Sequence, residues 1–140
     1  MKRASMSVDG RTRCFAVFGH PIGHTFSPMI HELFIRECGE NLAYLAFDVT
    51  PENLEDALRG AWAMGFRGLN LTIPLKERVI PYLTGIDPLA RKVGAVNTLK
   101  RTEEGFYGYN TDVYGMQSQL RTNGIHLQGQ DVVILGAGGA

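Results

Sequence analysis

The sequence predicts an α/β domain, a three-layer α/β/α sandwich built on a mostly parallel, mixed sheet of six strands. Three observations lead there. Short apolar runs of strand length alternate with amphipathic stretches of helix length. Several of those helical stretches open on a hydroxyl residue followed by proline and close on glycine. Past residue 94 the alternation stops and two strand-like runs stand only three residues apart, so one strand turns back against the others.

Residues 14–19 (CFAVFG) are a short apolar strand, bounded by charge before and Gly-His-Pro after. A helix follows over 28–38, with Ser27 at its N-cap, Pro28 at its first position and Gly39 as the stop. Met29, Ile30, Leu33, Phe34 and Cys38 recur at helical spacing and should pack on the sheet. Residues 42–49 (LAYLAFDV) are the second strand, and Thr50 should cap a helix from Pro51 to about Met64. Residues 67–73 (RGLNLTI) are the third strand, leading through Pro74 and Lys76 into a helix to about Leu83, with another helical turn over 88–92. Residues 95–101 and 105–109 form the hairpin around Thr102-Glu103-Glu104, and 112–122 is helical, closed by Asn123-Gly124. Residues 130–135 (QDVVIL) read as a further buried strand, running into Gly136-Ala137-Gly138-Gly139-Ala140.

These elements divide the chain into a disordered leader over 1–12, with Met6 a candidate start, a catalytic and substrate-binding domain over 13–125, and the opening of a nucleotide-binding domain over 126–140. The bulk chemistry narrows the function. Lys plus Arg and Asp plus Glu are 14 each, so the formal charge is zero and no basic, aromatic-laced run invites nucleic acid. The apolar runs fall well short of the roughly 18–20 residues that cross a membrane, and the first dozen residues lack the apolar centre of a secretory signal. Cys14 and Cys38 have neither metal-ligand nor CxxC spacing and read as buried, reduced thiols of a cytoplasmic protein.

Four clusters carry chemistry. Thr25 and Ser27 place two hydroxyls at a helix start, where free amides and the helix dipole favour an anion such as a carboxylate; Ser27 reads equally well as a cap alone. Asn70 and Thr72 alternate on one side of an apolar strand near its carboxyl end, and Lys76 follows on the loop, either solvated or catalytic. Asn97 is an amide among small and apolar residues and needs a partner if buried. Asp112 opens a helix, as a cap or as a functional carboxylate. His24 and His31 read as structural, with no spacing that suggests a metal. The Gly-rich turn at 136–140 follows a strand, as in a dinucleotide-binding βαβ unit, though such turns are common elsewhere.

Together these segments resemble shikimate dehydrogenases in order and spacing: G-x-P-I-x-H-[S/T]-x-S-P, N-x-T-x-P-x-K, G-A-V-N-T, G-x-N-T-D-x-x-G and the terminal GAGGA, from about Phe15 to Ala140. The resemblance implies a two-domain enzyme that reduces 3-dehydroshikimate with NADPH in aromatic amino-acid biosynthesis, without a metal. It implies that Thr25 and Ser27 hold the substrate carboxylate, and that Asn70, Thr72, Asn97 and Asp112 meet the ring hydroxyls. Lys76 would be the catalytic residue with Asp112 as its partner, and Gly136, Ala137, Gly138, Gly139 and Ala140 would receive the NADP pyrophosphate. A homodimer is left open. Thr25 stands where the family usually has Ser, Glu32 where it often has Asn, and Leu71 and Leu75 replace residues more often Val and aromatic or His. These departures leave room for quinate, and the choice between NADP and NAD lies outside this sequence. The chain reads as a fragment, expected to turn over no NADPH alone. A non-catalytic sensor domain is the competing class, disfavoured because a sensor needs no proton donor; a methylenetetrahydrofolate dehydrogenase shares the plan but not the motifs.

Overall fold

The computed structural model describes residues 8–135. Strand β1 (Arg13–Gly19) leads to helix α1 (Ser27–Cys38), β2 (Leu42–Asp48), a 3-10 turn (Pro51–Asn53) and α2 (Leu54–Ala63). Then come β3 (Gly68–Leu71), α3 (Leu75–Arg78), a second 3-10 turn (Ile80–Tyr82), β4 (Gly85–Ile86) and α4 (Pro88–Val93). The hairpin β5 (Thr98–Arg101) and β6 (Phe106–Tyr109) and the helix α5 (Asp112–Thr122) follow.

The six strands form one sheet in the order β2-β1-β3-β5-β6-β4. Pairing is parallel for β1 with β2, β1 with β3 and β4 with β6, and antiparallel on both sides of β5. One strand therefore runs against the rest, as the hairpin signal predicts. The chain leaves β1 to one side to form β2, then crosses back to form β3. Right-handed crossovers in opposite directions put the two connecting helices on opposite faces. Ala16, Phe18, Leu69, Leu71 and Leu99 accordingly join Leu54 and Leu58 of α2, Leu75 of α3 and Ala90 of α4 in one buried cluster. On the other face α1 lies over β2, where its His31 ring stacks on Tyr44. The chain leaves the carboxyl end of β1 for α1 on one face and that of β3 for α3 on the other, and such a switch point is where open α/β sheets leave a crevice for ligands.

Several expectations are corrected. The apolar side of α1 does not pack on the sheet: Met29, Ile30, Leu33 and Phe34 are 46% to 60% exposed, and Cys38 is exposed rather than buried. The row that faces inward is Ser27, His31 and Ile35, each four residues apart, with Ile35 the helix's one buried side chain. A helix with apolar residues on two sides does not reveal its inner row by periodicity, and here two polar residues with partners occupy it. Ser27 is the first residue of α1 rather than its cap, and Phe26 holds the cap position. Thr50 precedes the next helical turn but its side chain makes no cap bond. The helix expected over 74–83 is broken, because Pro81 has no N–H to continue the α-helical ladder.

The sixth strand is β4, two residues long and too short to show a period, whereas residues 130–135 form no strand. With no neighbour to pair among the described residues, Val132, Val133, Ile134 and Leu135 are 53% to 95% exposed. A strand's backbone groups need a ladder partner, so apolar content alone does not make one. Gly136 to Ala140 lie outside the described residues, as do residues 1–7 of the leader expected over 1–12. Asp9 to Thr12, counted with that leader, instead form a turn docked on Asn41: Asn41 Nδ2 donates to Asp9 Oδ1 at 2.9 Å and Thr12 Oγ1 donates to Asn41 Oδ1 at 2.7 Å.

Candidate active site

The chain brings a lysine, a carboxylate and two amides together at the carboxyl ends of β3 and the start of α5. Lys76 sits in α3, just past the turn that ends β3, and its backbone carbonyl accepts from Val96 N at 2.8 Å. That bond ties the lysine to the segment entering β5. Its ammonium donates to Asp112 Oδ2 at 2.9 Å, with the lysine side chain 14% and the aspartate 40% exposed.

Asp112 is free for this contact because it is not the cap of α5. Asn110, buried, does that work: its Oδ1 accepts from Asp112 N at 3.0 Å and Val113 N at 3.3 Å, while its Nδ2 donates to Ala95 O at 3.0 Å. Asp112 becomes the first helical residue, where the helix dipole favours a negative charge.

Asn97 holds the other carboxylate oxygen. Its Nδ2 donates to Asp112 Oδ1 at 2.8 Å and to Thr111 Oγ1 at 2.9 Å, and its Oδ1 accepts from Thr111 N at 2.9 Å. Thr98 Oγ1 also donates to Asn97 Oδ1 at 3.0 Å and accepts from Asn70 Nδ2 at 3.2 Å. Asn70 Nδ2 reaches Asn97 O at 3.3 Å as well, and its Oδ1 accepts from Tyr44 Oη at 2.7 Å. Burial pushes the Tyr44 phenol well above its ordinary value of 10.0, so it stays a neutral donor.

Taken in order, Tyr44, Asn70, Thr98 and Asn97 each donate towards the next, and the chain ends on the Asp112 carboxylate, which Lys76 meets from the other side. Hydrogen bonds aligned this way polarise one another. With both carboxylate oxygens occupied, Asp112 is fixed in place. An ammonium has three donors, and one is engaged with Asp112, so the remainder can meet an incoming oxygen.

The hydroxyl pair stands apart from this network but is linked to it. Thr25 Oγ1 donates to Ser27 Oγ at 3.1 Å and accepts from Ser27 N at 3.2 Å. Ser27 O lies 2.9 Å from His31 Nδ1, and His31 in turn stacks on Tyr44. Thr72 is placed beside β1 but outside the network, and no hydrogen bond joins its side chain to another described residue. Its methyl crowds Gly19 so closely that a Cβ there would come within 2.3 Å. Sequence reasoning missed Tyr44, Thr98 and Asn110 as members of this site. A tyrosine or threonine whose hydroxyl points inward from a strand looks like any other strand residue until the register is known, and Asn110 was masked by the stronger cap signal of Asp112. Among the described residues no three His, Cys, Asp or Glu side chains converge, and no helix is long and apolar enough to cross a membrane.

Comparison with known proteins adds the family. The profile of the shikimate dehydrogenase substrate binding domain matches residues 17–99. A shikimate dehydrogenase (NADP(+)) from Moorella thermoacetica is 47% identical over 135 residues, covering 96% of this chain but 46% of the relative, so the chain spans about half the length of the curated relatives it matches. Among solved structures, shikimate dehydrogenase 1 from Peptoclostridium difficile aligns with a TM-score of 0.87 at 37% identity, over 91% of this chain and 47% of that one. The shikimate 5-dehydrogenase from Thermus thermophilus in complex with shikimate aligns with a TM-score of 0.84 at 41% identity, over 91% and 49%. Motifs, fold and relatives agree: this chain belongs to the shikimate dehydrogenase family and carries its substrate-binding domain.

Proposed function

We propose that the chain supplies substrate binding and acid–base chemistry to an NADP-dependent enzyme that reduces 3-dehydroshikimate to shikimate in aromatic amino-acid biosynthesis. The observation that carries this reading is the Lys76–Asp112 contact at 2.9 Å, set at the end of an aligned amide and hydroxyl chain. NADPH, when bound, supplies the hydride. Hydride arriving at a ketone carbon leaves negative charge on the oxygen, which needs a cation and a proton. Lys76 meets both needs: its ammonium faces the oxygen and gives it a proton, while Asp112 orients the ammonium and a ring hydroxyl. Asn70 and Asn97 direct the ring, Thr72 borders it, and the Thr25 and Ser27 hydroxyls at the start of α1 take the carboxylate.

In this reading residues 13–125 are the catalytic domain and 126–140 begin the nucleotide-binding domain, whose Gly136–Ala140 turn would receive the pyrophosphate. A cytoplasmic setting belongs with it, since Cys14 and Cys38 are both free thiols. A homodimer is the assembly we pair with it, because α1 leaves four large apolar side chains uncovered; sedimentation of the full-length protein as a monomer would remove that element.

The decisive experiment is steady-state kinetics of the full-length enzyme and its Lys76→Ala variant on shikimate, with quinate as the comparison substrate. Loss of a positioned acid–base group should lower kcat by about 10²–10⁴-fold with a modest change in KM. Unchanged turnover would take Lys76 out of the mechanism.

A further inference from the structure

Resting on the reading just given, we infer that His31 is a positioning residue, which holds Tyr44 against Asn70 and thereby locks the ring-binding amides to the first turn of α1. Its ring lies 3.7 Å from that of Tyr44, with 8° between the planes, a full face-to-face stack. Its Nδ1 lies 2.9 Å from Ser27 O. A carbonyl oxygen only accepts, so Nδ1 carries the proton and the ring is pinned in one orientation.

The consequence runs through the amide of Asn70. Asn97 O also only accepts, so Asn70 must turn Nδ2 towards it and towards Thr98, leaving Oδ1 for the Tyr44 hydroxyl at 2.7 Å. If Tyr44 swings away, Oδ1 is left without a donor and the amide has reason to rotate, which breaks the chain of donors that ends on Asp112. Tyr44 belongs to β2, an edge strand, and among the described residues no further strand lies beside it to restrain the ring. His31 supplies that restraint. The same residue touches Ser27, so one imidazole fixes the separation between the hydroxyl pair and the ring-binding amides. Its contacts with Ser27, Tyr44 and Phe34 do not reach Lys76 or Asp112, and Asn97 stays turned towards Asp112 because Thr111 N still donates to its Oδ1 at 2.9 Å, which places the influence of His31 on substrate binding rather than on proton transfer.

The test uses the full-length enzyme with shikimate and NADP+, and compares His31→Ala, His31→Phe and His31→Gln with wild type. An aromatic pair contributes the equivalent of about three- to tenfold in affinity. His31→Ala should therefore raise KM for shikimate by about three- to tenfold, with kcat within about twofold and KM for NADP+ unchanged. His31→Phe keeps the stack and should restore most of the loss, whereas His31→Gln keeps a donor without a ring and should not. In the amide NMR spectrum the Asn70 side-chain peaks should move in the alanine variant and return in the phenylalanine variant.

A shikimate KM unmoved in His31→Ala, a parallel rise in the NADP+ KM, or a phenylalanine variant no better than the alanine one would overturn the assignment. Melting temperatures guard against a mere folding defect. Should His31→Ala fail to fold, His31→Phe against His31→Gln decides by the same criterion. Lys76→Ala is measured alongside. A wild-type enzyme inactive on shikimate, or a fully active Lys76→Ala, sinks the dehydrogenase reading; an inactive Lys76→Ala with silent His31 variants sinks only the role of His31.

Discussion

The two faces of the sheet are built differently. On one, Leu54, Leu75, Val79 and Val96 are wholly buried where α2, α3 and α4 meet the sheet. On the other, α1 buries only Ile35 and leaves a broad apolar surface bare, while the polar tips of Tyr44, Asn70 and Thr98 link to one another along the strands. The closed face needs only apolar volume, and interchangeable hydrocarbon supplies it. The open face needs particular atoms at particular separations. Stability is concentrated where identity matters least, and chemistry where it matters most.

Leu54→Ala would test this contrast most severely. The side chain is 0% exposed in the centre of the closed face, so the substitution should cost about 2–5 kcal/mol through lost burial and the cavity left behind. Urea denaturation of the chain reads this directly. A loss below about 1 kcal/mol, the size of an average point substitution, would show that the closed face is not the main source of stability.

Asn97→Ala comes next. It removes bonds to Asp112, Thr111 and Thr98 at once, yet each replaces a bond to water, so the net cost should be about 1–3 kcal/mol, chiefly from the partners left unpaired. The same denaturation experiment measures it. A cost above that of Leu54→Ala would invert the contrast and make the polar network the stabilising core.

This contrast also decides what the sequence discloses. The closed face is legible: the short apolar runs that predict β1 and β3 and the helical stretch expected after Thr50 supply its buried side chains, because burial of hydrocarbon is what such runs encode. At the site Asn97 could be singled out as an amide in apolar surroundings, Lys76 as a lysine following a strand and Asp112 as a carboxylate opening a helix, but their convergence depends on register between distant strands, which no local pattern carries. The same limit produced the errors. Met29, Leu33 and Phe34 repeat at helical spacing and yet face outward, since periodicity marks a helix without saying which row the sheet will meet. Residues 130–135 have the composition of a buried strand and, among the described residues, no ladder to join. Asp112 has the residue type of a cap, but Thr111 holds the cap position and the buried side chain of Asn110, two residues before Asp112, supplies the acceptor for the first amides.

Asn110→Ala sharpens the division within the open face. It removes the acceptor for the first two amides of α5 and should cost about 0.5–2 kcal/mol, as the loss of a helix cap does. Its more telling effect should be on the Lys76–Asp112 contact, because Asp112 could then turn its carboxylate back to the vacant amides. In the full-length enzyme this predicts a fall in kcat larger than the stability change explains. An unaltered kcat alongside the expected destabilisation would show that Asp112 keeps its place without help from the cap.

The smallest expected effect falls on the bare surface of α1, and it is the one that most directly separates apolar pattern from apolar burial. Leu33 is 58% exposed although its spacing marks it as a core residue. Leu33→Ala in the 140-residue chain should therefore change stability by no more than about 0.5 kcal/mol, the range of an ordinary surface substitution, and alanine's higher helix propensity works in its favour. Truncating a buried leucine costs several times as much, so the two outcomes are well separated in a denaturation curve. A loss above about 1 kcal/mol would mean that this surface is covered: a loss that grows with protein concentration assigns the cover to a second copy of the chain, and one independent of concentration makes the face described as open a second core.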